Sequence, residues 1–295
     1  MIGNRATLAI LMITAAAALA PVGDMFAKIL GGLYAASLIA FGRYLAGGAA
    51  GLTVLVLSGR FRWIGFSGLP SQVARASMMA SSIYCLIAAL NLAPLADVMA
   101  GFYIAPVAAA GVSATFLGEK MSSSRSLGLA MALFGGIAIL DPTGSFNVGG
   151  ALAVCSGLLF AFYLVAAKLA PRDEDGASAA VIQSLIAAAL MAPVALPGLE
   201  AAPPLWAIGL FLLIGVISVV CQGATLAAHR WADATTLAPF FYAALASSVL
   251  IGFAVFDEAP SPAGALGILA ILFGGLLVAF EHRGDDPAPL ESSSA

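Results

Sequence analysis

Ten apolar runs, each close to the length of helix that crosses a bilayer, leave this 295-residue chain few ways to fold. A hydrocarbon core about 30 Å thick takes about 20 residues of α-helix at 1.5 Å rise per residue. Runs of that kind read at 6–30, 33–57, 72–91, 94–118, 124–140, 148–170, 177–198, 204–228, 232–256 and 262–281, with short polar breaks between them. Composition agrees: 62% of residues are hydrophobic and 9% charged, against roughly 25% charged in an average soluble domain. The chain reads as an all-α integral membrane protein of about ten transmembrane helices. Ala18-Leu19-Ala20 has the small-residue pattern of a signal-peptide cleavage site, but Arg5 is the lone cation before it and Pro21 would follow the cut, so the first run is expected to stay as a helix.

The sequence writes one half twice. At an offset of 139, Phe102-Tyr103 falls on Phe241-Tyr242, Ala105 on Ala244 and Glu119 on Glu258. Leu127-Gly128 then falls on Leu266-Gly267, and Leu133-Phe134-Gly135-Gly136 on Leu272-Phe273-Gly274-Gly275. The repeats are expected at 6–140 and 148–281, with 282–295 as a disordered cytoplasmic tail, polar and rich in Pro and Ser. Five spans per copy is an odd number, so the second copy enters the membrane upside down. That inverted-repeat plan sets a substrate site at mid-membrane between the copies.

Cations orient the chain. With the N-terminus inside, Arg5, Arg60, Arg62, Arg75, Lys120, Arg125, Lys168, Arg172, Arg230 and Arg283 fall on the cytoplasmic side, Lys28 lies towards the outside and Arg43 sits within a span. Both termini are therefore expected in the cytoplasm of a bacterial cell, with the chain in its inner membrane. By this count Glu119 and Glu258 lie on opposite sides, as inverted copies require.

An arginine at mid-membrane must pair or line a wet cavity. Asp24, which shares a helical face with Lys28, is the acid at matching depth, and Asp24 with Arg43 reads as a coupling site or an intramembrane ion pair. Gly47 and Gly51 form a GxxxG that lets the second span pack closely. Pro106 and Pro239 are expected to bend cavity-lining helices, since proline frees backbone carbonyls. Arg60 to Trp63 and His229-Arg230-Trp231 read as interfacial anchors, and nothing in the chain points to nucleic acid. The acidic run Asp173-Glu174-Asp175 reads as a solvated loop. Cys85, Cys155 and Cys221 have no CxxC spacing and read as small core residues. No metal and no cofactor is expected. The expected partners are a small-molecule substrate and the lipid bilayer, and a homodimer is left open.

Leu95-Ala96-Asp97, Ala105-Pro106 and Phe116-Leu117-Gly118-Glu119-Lys120, followed by a Gly-rich span ending at Asp141-Pro142, resemble the first EamA repeat of the drug/metabolite transporter superfamily. Ala232-Asp233-Ala234, Ala238-Pro239-Phe240-Phe241-Tyr242 and Phe256-Asp257-Glu258 resemble the second, although Asp257 stands where a glycine usually precedes the glutamate. The resemblance covers about residues 6–281. It implies a secondary transporter working by alternating access, with Tyr84, Tyr103, Tyr163, Gln222 and Tyr242 as substrate-lining candidates beside Asp24. Pro106, Glu119, Pro239 and Glu258 take gating or structural roles. Tyrosine offers a stacking face and a hydroxyl without fixed charge, which suits a neutral, zwitterionic or aromatic metabolite. Asp24, Lys28, Arg43 and Arg75 with Ala238-Pro239-Phe240 look like the branch of bacterial carriers for vitamins such as riboflavin, S-adenosylmethionine and amino-acid derivatives.

The competing class is an integral membrane enzyme acting on lipid or prenyl substrates. Such chemistry needs clustered acids, histidines or a metal. The two histidines, His229 and His282, lie outside the apolar runs, and no span holds an acid pair at metal spacing.

Overall fold

The computed structural model describes residues 4–62, 68–117, 123–139, 147–170, 174–199, 202–228 and 240–281. Eleven α-helices lie within them: α1 Asn4–Gly31, α2 Ala36–Leu57, α3 Leu69–Leu90, α4 Leu95–Phe102, α5 Ala105–Leu117, α6 Ser123–Ile139, α7 Val148–Lys168, α8 Gly176–Ala195, α9 Leu205–Ala228, α10 Ala243–Phe256 and α11 Pro262–Glu281. By length and composition seven segments can cross a membrane, with Leu95–Phe116 counted as one across the α4–α5 break. Three shorter apolar helices, Ser126–Ala138, Ala243–Phe256 and Pro262–Leu277, accompany them. The chain is a multi-pass, all-helical membrane protein.

Local chemistry sets the ends. Asn147 caps α7 by accepting the Gly150 N–H at 3.0 Å, and Asp175 caps α8 by accepting that of Ser178 at 2.9 Å, each quieting an amide the first turn leaves free. The fourth run is broken as well as bent. Pro106 has no N–H to return to Phe102, and its ring crowds that carbonyl, so the helix stops at Phe102. It turns through Tyr103-Ile104 and restarts at Ala105, with proline in the first turn, where its missing N–H costs nothing. Gly157 of α7 lies under the break, where a Cβ would overlap the Gly101 carbonyl oxygen.

Most of the more extensive helix packings fall in matching sets. α1 packs on α9 and α7 on α3; α2 packs on α9 and α8 on α3; α4 packs on α7 and α10 on α1. α2 meets α8, α4 meets α10 and α6 meets α11. Exchanging α1 with α7, α2 with α8, α3 with α9, α4 with α10 and α6 with α11 leaves this pattern unchanged. The crossing of α6 and α11 repeats the rule at residue level. A Cβ on Gly135 would lie 2.8 Å from the Gly267 carbonyl oxygen, and one on Gly274 would lie 2.6 Å from that of Gly128. These are the same positions at the offset of 139.

Glycine also closes the seam of α2 with α8 and α9. Gly47, Gly48 and Gly51 are buried, and added Cβ atoms would meet Gly215, Leu185 and Val181 respectively. The expected GxxxG packing is present, with Gly48 as an added member. Without a hydrophobic drive between helices in lipid, close van der Waals approach is what holds them. Gly215→Ala sets a Cβ 2.6 Å from the Gly47 nitrogen and is expected to cost about 1–3 kcal/mol. Gly209→Ala, which meets nothing within 4 Å, should shift stability by no more than about 0.5 kcal/mol. Thermal unfolding of the two variants in detergent checks the contrast.

Candidate functional site

The centre of the bundle is built from residues of both halves. Asp24 on α1 and Arg43 on α2 form an ion pair at 2.7 Å, with side chains 6% and 15% exposed. An arginine inside an apolar bundle keeps its charge, so an acid at hydrogen-bond distance is the expected consequence. Both readings of Asp24 and Arg43, a coupling site and an intramembrane ion pair, call for this contact. Tyr103, in the α4–α5 break, has Asp24, Cys221 and Tyr242 as electrostatic neighbours. Its ring lies 6.4 Å from that of Tyr242, which caps the start of α10. Gly275 of α11 makes room for Tyr242, whose hydroxyl fills the space a Cβ there would need.

From Tyr103 a line of rings leads to α7. Phe102 meets Tyr103 edge-on at 5.5 Å, Phe160 lies 5.0 Å from Phe102, and Tyr163 stacks on Phe160 at 5.3 Å. The Tyr163 hydroxyl donates to Gln183 Oε1 at 3.2 Å. Gln183 Nε2 donates to Gln72 Oε1 at 2.8 Å, and Gln72 Nε2 donates to Glu174 Oε2 at 3.0 Å. Glu174 receives both terminal nitrogens of Arg75, at 2.8 and 2.7 Å. Arg75 is 3% exposed, which this two-pronged pairing makes tolerable.

The other end of the bundle carries a second tie. Lys28 Nζ donates to Glu258 Oε1 at 2.7 Å, to Glu258 Oε2 at 2.6 Å and to the Ala93 carbonyl at 3.0 Å. Lys28 also sits 5.0 Å from the centre of the Phe256 ring. Glu258 Oε2 further accepts the Leu95 N–H at 3.2 Å. Asp257 aims Glu258: its φ of 53° and ψ of 33° are left-handed, a conformation suited to glycine that aspartate tolerates. A cavity of about 420 Å³ opens at this end, lined by residues 31–32 and 90–94 with Lys28 and Glu258.

Five sequence expectations meet differently placed residues. Tyr84 is 39% exposed and stands outside the line of rings, because α3 turns the face bearing Arg75, Met79 and Ser82 inward. α9 presents Cys221 to Arg43 and Asp24, while Gln222, about 100° further round the helix, is half-buried. Glu174 is a buried counter-ion rather than part of a solvated loop, since Arg75 draws it in. Cys155 is exposed rather than in the core, and Cys85 and Cys221 are partly buried. Pro106 ends one helix and starts another, a stronger effect than a bend. Glu119 and Pro239 lie outside the described residues, as do His229, Asp233 and the tail.

A polar centre inside a helical membrane bundle, with a charged tie at each end, suits a membrane transporter for small molecules. The sequence profile of the EamA-like transporter family matches residues 147–280. A riboflavin transporter of Brucella anthropi is 30% identical over 252 residues, covering 80% of this chain and 86% of that protein. A riboflavin transporter of Rhizobium johnstonii is 27% identical over 209 residues, covering 70% of this chain and 69% of that protein. A crystal structure of another protein shares the fold with a TM-score of 0.63 at 22% identity, covering 93% of this chain and 98% of that one. The chain belongs to the EamA-like transporter family.

Removing one partner of a buried pair leaves the other charge unpaired, so Asp24→Asn is expected to cost about 3–5 kcal/mol. Asp24→Leu combined with Arg43→Met should recover most of that loss, because it leaves no charge behind. Melting curves of the single and double variants in lipid nanodiscs test the pairing.

Proposed function

We propose that the protein is a secondary carrier that moves riboflavin, or an aromatic metabolite of similar neutral to zwitterionic character, across a bacterial inner membrane by alternating access. The carrying observation is the pairing of Tyr103 and Tyr242 at the junction of the two halves, beside the neutralised Asp24–Arg43 pair. Two tyrosine faces and hydroxyls without net charge suit a flat heteroaromatic solute with polar edges. The riboflavin transporters among its relatives supply the same chemical direction.

The carrier is read as two inverted five-span repeats, 6–140 and 148–281, crossing the membrane ten times with both termini in the cytoplasm. The self-matching packing and the reciprocal glycines of α6 and α11 support the repeat, and the side bias of Lys and Arg supports the orientation. On this orientation Lys28–Glu258 ties the outer end, and Arg75–Glu174 with the glutamines ties the inner end. Tyr163 and Gln183 join the aromatic centre to the inner tie.

Labelled riboflavin uptake and efflux in cells lacking their own riboflavin carrier test the function. The intact protein is expected to give saturable movement that Tyr103→Ala and Tyr242→Ala reduce by at least about tenfold, the loss of about 1.4 kcal/mol of binding, with the variants still reaching the membrane. Movement of riboflavin that ignores both substitutions would keep the carrier and remove this site. Movement of S-adenosylmethionine or an aromatic amino acid instead of riboflavin would change the substrate within the same reading.

A further inference from the structure

Asp97 is 2% exposed in the first turn of α4, and the interactions described so far do not use it. Its Oδ1 has no hydrogen-bond partner among the described residues. Its Oδ2 receives the Ser261 N–H at 3.4 Å, and the Ser261 hydroxyl is a second hydrogen-bonding neighbour of the carboxyl. Gly264 of α11 lies against the carboxyl so closely that a Cβ there would overlap Oδ1.

The charged groups facing Asp97 are Lys28 from α1 and Glu258 from the end of α10. Lys28 has nothing left to give it: an ammonium has three donors, and here they go to the two oxygens of Glu258 and to the Ala93 carbonyl. Among the described residues the other elements packed on α4 bring no cation to Asp97. α7 meets that helix through Ala153 and Val154 at Gly101, α6 through Gly136 at Ile104, and α11 through Ser261 and Gly264; α3 ends nearby in Asn91, an exposed amide. An ionised carboxylate there is stripped of water, with the Ser261 hydrogen bonds and the weak field at the start of a helix as its compensation.

We infer that Asp97 is a proton-binding site, occupied while the Lys28–Glu258 tie is closed, that makes the opening and closing of this end respond to pH. This rests on the carrier reading above. Lys28 and Glu258 line the cavity at this end, and Asp97 does not. When the pair parts, water reaches the carboxyl and Lys28 gains free donors. The proton on Asp97 then passes to water and leaves a carboxylate that Lys28 balances. Closing the end again requires Lys28 to return to Glu258, which Asp97 permits once it has taken up a proton. One proton is released and taken up at this same end in each cycle, so it sets the pH at which the end opens and closes and does not itself cross the membrane. Asp24 is unsuited to this role because Arg43 neutralises it directly.

Infrared spectroscopy of the purified protein in nanodiscs reads the carboxyl itself. At pH 7 the wild type should show a protonated-carboxyl C=O band that Asp97→Asn removes. Glu258→Gln should diminish the same band, because Lys28 then turns to Asp97; this second variant keeps the aspartate and reads its proton even if Asp97→Asn does not fold. A wild-type spectrum unchanged by Asp97→Asn would mean an ionised Asp97 and overturn the inference. In proteoliposomes, an imposed pH gradient should change the rate of riboflavin movement by the wild type, and Asp97→Asn should abolish that response. A response that survives in Asp97→Asn overturns the role of Asp97 in it. If the wild type moves no riboflavin at all, the substrate reading falls, while the infrared result still decides whether Asp97 holds a proton.

Discussion

A charge inside hydrocarbon has to be cancelled where it stands, and the arrangement of this bundle follows from where those cancellations occur. Three ion pairs do the work among the described residues. Asp24 and Arg43 neutralise each other in the centre, within one half. Lys28–Glu258 and Arg75–Glu174 each join a residue of the first half to one of the second, at opposite ends of the bundle. The two end pairs differ in kind from the central one. If an end opens, water enters and re-solvates its charges, so separation there costs far less than the several kcal/mol of splitting a pair in a dry interior. The central pair has no such escape and is suited to staying intact through a cycle.

The aromatic and glycine positions serve the same division. Glycine seams at α2, α8 and α9 and at α6 with α11 bring backbones together and make stiff units. The α4–α5 break is the irregular element, and it holds Tyr103 at the point where rings from both halves meet. Irregular backbone at membrane depth is tolerated where it is buried in protein, and here Gly157 covers it. Tyr103, the proposed substrate-facing residue, thus sits on the element whose backbone is least committed to a regular helix.

Much of this could be read from the sequence because single residues carried it. The apolar runs gave helices, and the offset of 139 gave equivalent positions that turn up in reciprocal contact, Gly135 on Gly267 and Gly274 on Gly128. Arg43 demanded an acid at its own depth, which left Asp24. The end ties were harder. Glu174 sits in an acidic run beside Arg172, where solvation is the ordinary state, and its partner Arg75 is 99 residues away in the chain. Only the burial of Arg75 turns that loop acid into a counter-ion. Lys28 carried a signal that went unused: it was the one cation assigned to the outer side, and Glu258 was an acid on that same side. Asp257 carried another, since the glycine usual at its place marks a left-handed turn, the turn that aims Glu258 at Lys28. Tyr84 is 39% exposed and Gln222 is half-buried, because a span that is apolar all round gives little indication of which face turns inward.

Alternating access between two charge-tied ends is the central claim, and distances across both ends in one sample test it most directly. Spin labels on exposed sites can span each end, Leu33 with Ala259 beside Lys28–Glu258 and Ser71 with Leu169 beside Arg75–Glu174, after Cys85, Cys155 and Cys221 are replaced. Pulsed electron resonance in nanodiscs, with riboflavin added and the pH varied, should show one pair of labels lengthening while the other stays short, and the two exchanging as conditions change. Two distances that never vary, or that lengthen together, would contradict it.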